Sequence, residues 1–273
     1  MTELQKVEFE ILKSVIEICN QLSLNYYLVC GSALGAVKYQ GFIPWDDDID
    51  VGLFRKDYEI FCEKAPKMLP DYYFLQNYKT DKNFPALYSK IRDSRTTYIE
   101  ESVCDIEMHH GIYIDVFPLD GYPIEKIKIK LFETKKKLLN YSLFCAFNIN
   151  SQCSWKAKVL HRCGRIFNIN KRTYVYVDKL SKLVSKNVID CSTVICNHGN
   201  WQGKLEYAPK EQYGNGLMVK FEGLDVRIPE KYDDYLKQKY GDWEMDLPLE
   251  KQVGHHYYSV CDFNKSYIEY IKK

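Results

Sequence analysis

The chain has 273 residues, 46% of them hydrophobic and 27% charged, with a formal net charge of +1. This is the composition of a soluble globular protein with room for one large core and an appendage. No run of residues approaches the ~20 apolar positions that a membrane-spanning helix needs.

Residues 3–22 repeat Val7, Ile11, Leu12, Val15, Ile18, Cys19 and Leu22 at helical spacing. With acids mixed in, they form an amphipathic first helix rather than a signal peptide. "YYLVC" (26–30) follows as a buried strand, ended by Gly31-Ser32. "ALGAVKYQ" is helix-forming up to Gly41, "IDVGLF" is the next strand, and a helix runs through "KDYEIFCEKAPKML". "YFLQNY", "ALYSKIRD" and "GIYIDVFPL" (111–119) have strand character. Helices are expected around "KIKIKLFETKKKLLNYSLFCAF", around "SWKAKVLHRCGRIF", and over 174–187. "LMVKFEGLDVRIP" alternates on both sides of Glu222-Gly223, which predicts a hairpin. Pro229 opens a helix over "EKYDDYLKQKYG" that Gly241 stops. The pattern predicts an α+β fold with a mixed sheet flanked by helices. We divide it into a core (1–123), a basic helical insertion (124–200), and a C-terminal hairpin and helix that complete the core (201–273).

The near-neutral total conceals an asymmetry. From Glu125 to Arg172 the chain carries nine Lys and three Arg against Glu125 and Glu133, a net of +10. Such a block suits an anionic partner, such as a membrane surface, or else is a solvated helical face. No nucleic-acid-binding module accompanies it. The ten cysteines have no zinc-ribbon spacing and no export signal, so they are expected to be reduced thiols in a cytoplasmic protein. An irregular zinc site from Cys153, Cys163, Cys191, Cys196, His161 and His198 is the weaker alternative.

"GFIPWDDDIDVGLF" (41–54) places Asp46, Asp47, Asp48 and Asp50 inside an apolar frame. On a strand, Asp48 and Asp50 share one face while Ile49 and Val51 take the other. Two carboxylates held together are too costly to keep ionised without a counter-charge, and hard oxygen donors suit Mg²⁺ or Mn²⁺. An EF-hand loop would need Gly where Val51 stands and Glu where Asp57 stands. Asp115, inside "GIYIDVFPLDG", is the third candidate ligand, or the base for an incoming hydroxyl, whereas Asp120 beside Gly121 suits a cap or turn. The Gly31-Ser32 turn offers backbone N–H groups to a phosphate. Lys90 and Arg92 alternate onto one face and could neutralise phosphate oxygens. The pairs His109-His110 and His255-His256 are polar residues near strand ends, to which we assign no metal.

"GSALGAVKYQGFIPWDDDIDVGL", "KIRDSRTTYIEE", "HHGIYIDVFPLDG" and "YLKQKYGDWEMDLP", in that order, resemble the LicD family of bacterial phosphocholine transferases, relatives of the fukutin-type ribitol-phosphate transferases. The resemblance covers roughly 24–123 and 200–256. It implies a nucleotidyltransferase-like fold with metal-binding acids at Asp48, Asp50 and Asp115. Lys38 stands where the family often has Arg. It also implies transfer of phosphocholine from CDP-choline to a hydroxyl of a cell-surface glycan or lipid-linked glycan (lipopolysaccharide, teichoic acid or capsule). Glycerol- or ribitol-phosphate donors, an NTP-using nucleotidyltransferase, and a non-catalytic metal-binding membrane adaptor are the alternatives.

Overall fold

The computed structural model describes residues 1–147, 154–167, 173–199, 203–254 and 256–271. Helix α1 (Glu3–Gln21) begins at a capping box. Gln5 N donates to Thr2 Oγ1 at 3.1 Å and Thr2 N donates to Gln5 Oε1 at 2.9 Å, which satisfies two orphan helix donors. The Gln5 amide nitrogen also donates to Ile43 O and Asp46 O (3.3 and 3.0 Å), fastening the acidic loop to α1.

The chain continues through β1 (Tyr26–Leu28), α2 (Cys30–Lys38), β2 (Asp50–Phe54), α3 (Arg55–Lys64), β3 (Tyr73–Gln76), β4 (Ser89–Asp93), β5 (Thr97–Glu100) and β6 (Ile112–Gly121). Helices α4 (Lys126–Ala146), α5 (Trp155–Ile166) and α6 (Thr173–Val184) follow, at the positions where the sequence predicts helices. Then come β7 (Val194–Asn197), β8 (Tyr207–Pro209), α7 (Lys210–Tyr213), β9 (Leu217–Phe221), β10 (Leu224–Ile228), α8 (Tyr232–Tyr240), β11 (Tyr258–Asp262) and α9 (Ile268–Ile271).

The central sheet runs β1-β2-β6-β4-β3, with β7 also on β6 and β8 beyond it. Among the described residues only β2 and β6 pair in parallel; their neighbours are antiparallel, so the sheet is mixed and the fold is α+β. The ten-residue β6 is buried along its whole length because it is the axis of the sheet. On one side it pairs with β2; on the other it pairs first with β4 and then with β7. The chain thus leaves the sheet after Gly121 and re-enters it at Val194. Ile11, Leu12, Val15, Ile49, Val51, Leu53, Ile114 and Val116 make the main core.

Four local differences from the sequence pattern have physical causes. The first strand stops at Leu28 because Cys30 takes a left-handed φ of 51° and starts α2, so Gly31 and Ser32 sit in the first helical turn and not in a loop. Asp48 precedes β2 instead of lying on it. Asp120 is no turn residue: it is a fully buried member of β6, gripped by Arg55 at the start of α3, with Nε–Oδ1 2.7 Å and Nη2–Oδ2 2.6 Å. Strands β5, β7, β8 and β11 are short and too polar or too brief to show as strands.

The predicted hairpin is β9–β10, closed by Glu222 and Gly223, both at positive φ (49° and 82°), as a type I′ turn requires. Its tip braces the acidic loop, with Glu222 N donating to Gln40 O (2.8 Å) and Phe42 N donating to Glu222 Oε1 (3.3 Å). Gly35 in α2 lies against the same loop. A Cβ there would stand 2.5 Å from Gly41 O and 3.2 Å from Ile43 N, and both are backbone atoms with little freedom to yield. Gly35→Ala is therefore expected to cost about 1–3 kcal/mol through overpacking, seen as a drop of several degrees in thermal unfolding. An unchanged midpoint would show that the loop is looser than this contact implies.

Candidate active site

A cavity of about 420 Å³ opens between α2, the acidic loop, the start of β2, the middle of β6 and the segment after α8. Asp48, Asp50 and Asp115 line it together, beside Gly31 and Lys38. The β2–β6 register explains the convergence, since Asp50 stands directly opposite Asp115 on adjacent parallel strands. Ile49 and Val51 are fully buried on the other face. Ser32 works from behind: its hydroxyl accepts from Asp50 N at 2.8 Å and fixes where β2 begins.

The four aspartates of the loop have different tasks. Asp46 packs on Gly31, where any Cβ would lie 2.6 Å from its carboxylate. Asp47 holds the C-terminal segment by accepting from His256 N at 3.0 Å. Asp48 faces the His256 ring, with Nε2 3.0 Å from Oδ2. Asp50, buried, meets Asp115.

Behind these carboxylates runs a relay of alternating charge. Lys90 Nζ lies 3.2 Å from Asp115 Oδ1, close enough to pair charges though not aligned as a hydrogen bond. Lys90 also lies 3.5 Å from Glu100, and Glu100 lies 3.4 Å from His256 Nδ1, whose ring returns to Asp48. The Lys90 ammonium sits over the Tyr113 ring, 3.1 Å from its centre, and the Arg92 guanidinium is over the same ring. Lys90 and Arg92 thus share a face, but they turn to protein carboxylates. Arg92 is fully buried, giving hydrogen bonds to Gln76 and to Gly111 O, and neither residue lines the cleft.

Burial, followed by the charges of Asp48, Asp115 and Asp46, holds the Asp50 carboxyl well above its ordinary range. Burial likewise raises Asp115, to about 6, with Lys90 limiting the rise. For Glu100, burial pushes up, yet Lys90, the His256 hydrogen bond and Arg92 outweigh it and hold the carboxyl below its usual value. For His256, burial pulls down, but hydrogen bonds to Asp48 and Glu100 raise it to about 11.

Asp47, Asp48 and His256 bring ligand atoms within 4.8 Å of one another. The His256 nitrogens also have protein partners, Asp48 at Nε2 (3.0 Å) and both Tyr113 Oη (3.3 Å) and Glu100 (3.4 Å) at Nδ1. Asp48, Asp50 and Asp115, the set expected from the sequence, line the same cleft, but their carboxylates are not gathered within that distance among the described residues. This set offers oxygen donors only, two of them buried, and Asp115 Oδ1 lacks a hydrogen-bond donor among the described residues.

His256 lines the cleft and Glu100 and Glu8 lie close behind it, roles that the sequence reading did not assign to them. Glu8 on α1 is buried, and burial followed by Asp48 and Asp47 raises its carboxyl well above normal. β11 pairs with β5 so that Tyr258 lies opposite Glu100, which sets His256 beside the carboxylates. His255 and Cys153 lie outside the described residues. The other candidate zinc residues do not converge into a ligand group among the described residues; Cys196 meets His198 alone (Sγ–Nδ1 3.2 Å).

A model of the LicD/FKTN/FKRP nucleotidyltransferase domain matches residues 23–138, which hold Asp48, Asp50 and Asp115. The match falls on the segment that carries most of the motifs resembling the LicD family. The chain is 28% identical over 270 residues to the lipopolysaccharide cholinephosphotransferase LicD of Haemophilus influenzae, covering 94% of this chain and 96% of that protein. It is also 25% identical over 115 residues to the uncharacterized protein RP689 of Rickettsia prowazekii, 42% of this chain and 40% of that one. No helix among the described residues is long and apolar enough to cross a membrane.

Proposed function

We propose that this protein transfers phosphocholine from CDP-choline to a hydroxyl of a cell-surface glycan, or of its lipid-linked precursor, with Mg²⁺ or Mn²⁺ held by Asp48, Asp50 and Asp115. The observation that carries this is the opposed pair Asp50–Asp115 at the floor of an aromatic cleft. The similarity to the Haemophilus protein along nearly the whole chain supports the choice of phosphocholine.

Bound there, the cation would offset charge on the diphosphate and on the departing CMP. The chain's own groups do the rest. Lys38, at the cleft and 2.8 Å from the exposed Asp246, adds positive charge for an anionic donor. Tyr39, Trp45, Tyr88 and Trp243 line the same cavity and offer ring faces to a quaternary ammonium. Asp115, directly opposite Asp50 in the cleft, either completes the cation's oxygen ligands or accepts the proton of the acceptor hydroxyl. That oxygen bonds to the distal phosphorus in line as the phosphorus–oxygen bond to CMP breaks, and no covalent enzyme intermediate is needed.

The test compares CDP-choline, CDP-glycerol, CDP-ribitol and NTPs, each with and without Mg²⁺, by thermal unfolding and by product. CDP-choline with Mg²⁺ should stabilise by about 2.7 kcal/mol at a hundredfold excess over its Kd and yield CMP. A shift only with CDP-glycerol or CDP-ribitol would replace the donor. Pyrophosphate release from an NTP would replace the reaction class.

A further inference from the structure

We propose that helix α4, with α5 packed against its C-terminal end, is an in-plane membrane-docking element that recognises an anionic lipid surface. The inference rests on the faces of these helices and not on the chemistry assigned to the cleft.

Helix α4 is apolar on two sides. Phe132 and Leu143 face inward with α6 residues Val177, Leu180 and Val184. On the other side, Ile127, Leu131 and Leu138 are 76%, 57% and 73% exposed. At 100° per residue these three fall within one narrow stripe, which also includes Tyr141 and Cys145. The C-terminal part of that stripe is covered by α5: Gly164 packs on Cys145 and Tyr141, and Tyr141 Oη donates to Leu160 O at 2.6 Å. Nothing among the described residues covers the first three. Helix α5 repeats the arrangement, burying His161 and Gly164 while Trp155, Val159 and Ile166 form an exposed stripe beside Arg162.

The charges identify the occupant. Lys126, Lys130 and Lys137 flank the α4 stripe on one side, and Lys128 and Lys135 flank it on the other. Apolar residues lying between rows of lysine are the pattern of a helix seated in the headgroup boundary, where long cationic side chains reach the phosphates. A second copy of the chain is the poorer fit, because pairing this face with itself would set lysines against lysines. Lys136 is not part of the surface. It turns inward to Tyr207 Oη (2.7 Å) and Glu133 (3.3 Å), so the Lys135–Lys137 run is one structural lysine between two outward ones.

The experiment is co-sedimentation of the full chain with phosphatidylcholine vesicles containing 0 or roughly 30% phosphatidylglycerol, at low and high salt. The protein should bind only the anionic vesicles, and high salt should weaken binding about tenfold or more. Leu131→Ser with Leu138→Ser should reduce binding at both salts, and Lys130→Glu with Lys135→Glu should reduce it mainly at low salt. All four positions are exposed, so unchanged unfolding midpoints should accompany the loss. The proposal is overturned if the wild-type protein ignores anionic vesicles at low salt. It is overturned equally if light scattering shows a dimer that Leu131→Ser/Leu138→Ser converts to monomer. Donor-induced stabilisation should be the same in these variants as in the wild type, so failure here is separable from failure of the proposed chemistry.

Discussion

Asp50→Asn is expected to abolish transfer while leaving the cation-free protein at least as stable as the wild type. Asp50 is buried opposite Asp115, and burial followed by the neighbouring aspartates opposes its ionisation. The amide removes one like charge from this cluster and also one oxygen donor from the proposed cation site. Losing several kcal/mol of charge stabilisation in the transition state corresponds to about a thousandfold or more in rate. The sign of the pH effect follows from the same shift. A carboxyl raised on folding binds its proton more tightly in the native state, so cation-free stability should fall as pH rises above about 4. Asp50→Asn should flatten that slope, and Mg²⁺ should reverse it in the wild type only. Near-normal turnover in Asp50→Asn would remove the carboxylate from the mechanism.

The second large effect concerns folding. Arg55→Met leaves Asp120, fully buried on β6, without its two-pronged partner. Burial already holds the Asp120 carboxyl above its ordinary range, with Arg55 offsetting part of the cost. Removing one partner of such a pair costs about 3–5 kcal/mol, or roughly 10 °C or more in midpoint for a chain of this size. Arg55→Met combined with Asp120→Leu should recover most of that loss, because neither charge then remains buried. If the single variant unfolds within a degree or two of the wild type, the pair is better hydrated than its burial indicates.

The strand alternation around Ile49 and the isolated charge of Asp115 were legible because a period of two leaves few choices about which residues meet. The same alternation placed Lys90 and Arg92 on one face, but it could not say that Glu100 and Asp115 would engage that face. The meeting of Glu100 with His256 was illegible for a different reason: it depends on β11 pairing with β5, about 160 residues apart, through strands of only five and four residues. Asp120 was misread because a carboxylate next to glycine has the local chemistry of a turn, and only the three-dimensional approach of Arg55 makes burial tolerable. Gly31 and Ser32 were seen as a turn because nothing in the sequence announces that Cys30 adopts a left-handed φ.

The pairing of β11 with β5 also bears on how this protein is made. The carboxylates reside within residues 23–138, yet Tyr240, Trp243 and His256 complete the cleft from the far end of the chain. During synthesis, Asp48, Asp50 and Asp115 are exposed long before the histidine that meets Asp48 has been translated. A nascent chain therefore carries the acids without the imidazolium and without the aromatic wall. A product truncated before Tyr240 is therefore expected to lack the aromatic wall and the partner of Asp48, and under the proposed function to show no donor-induced stabilisation.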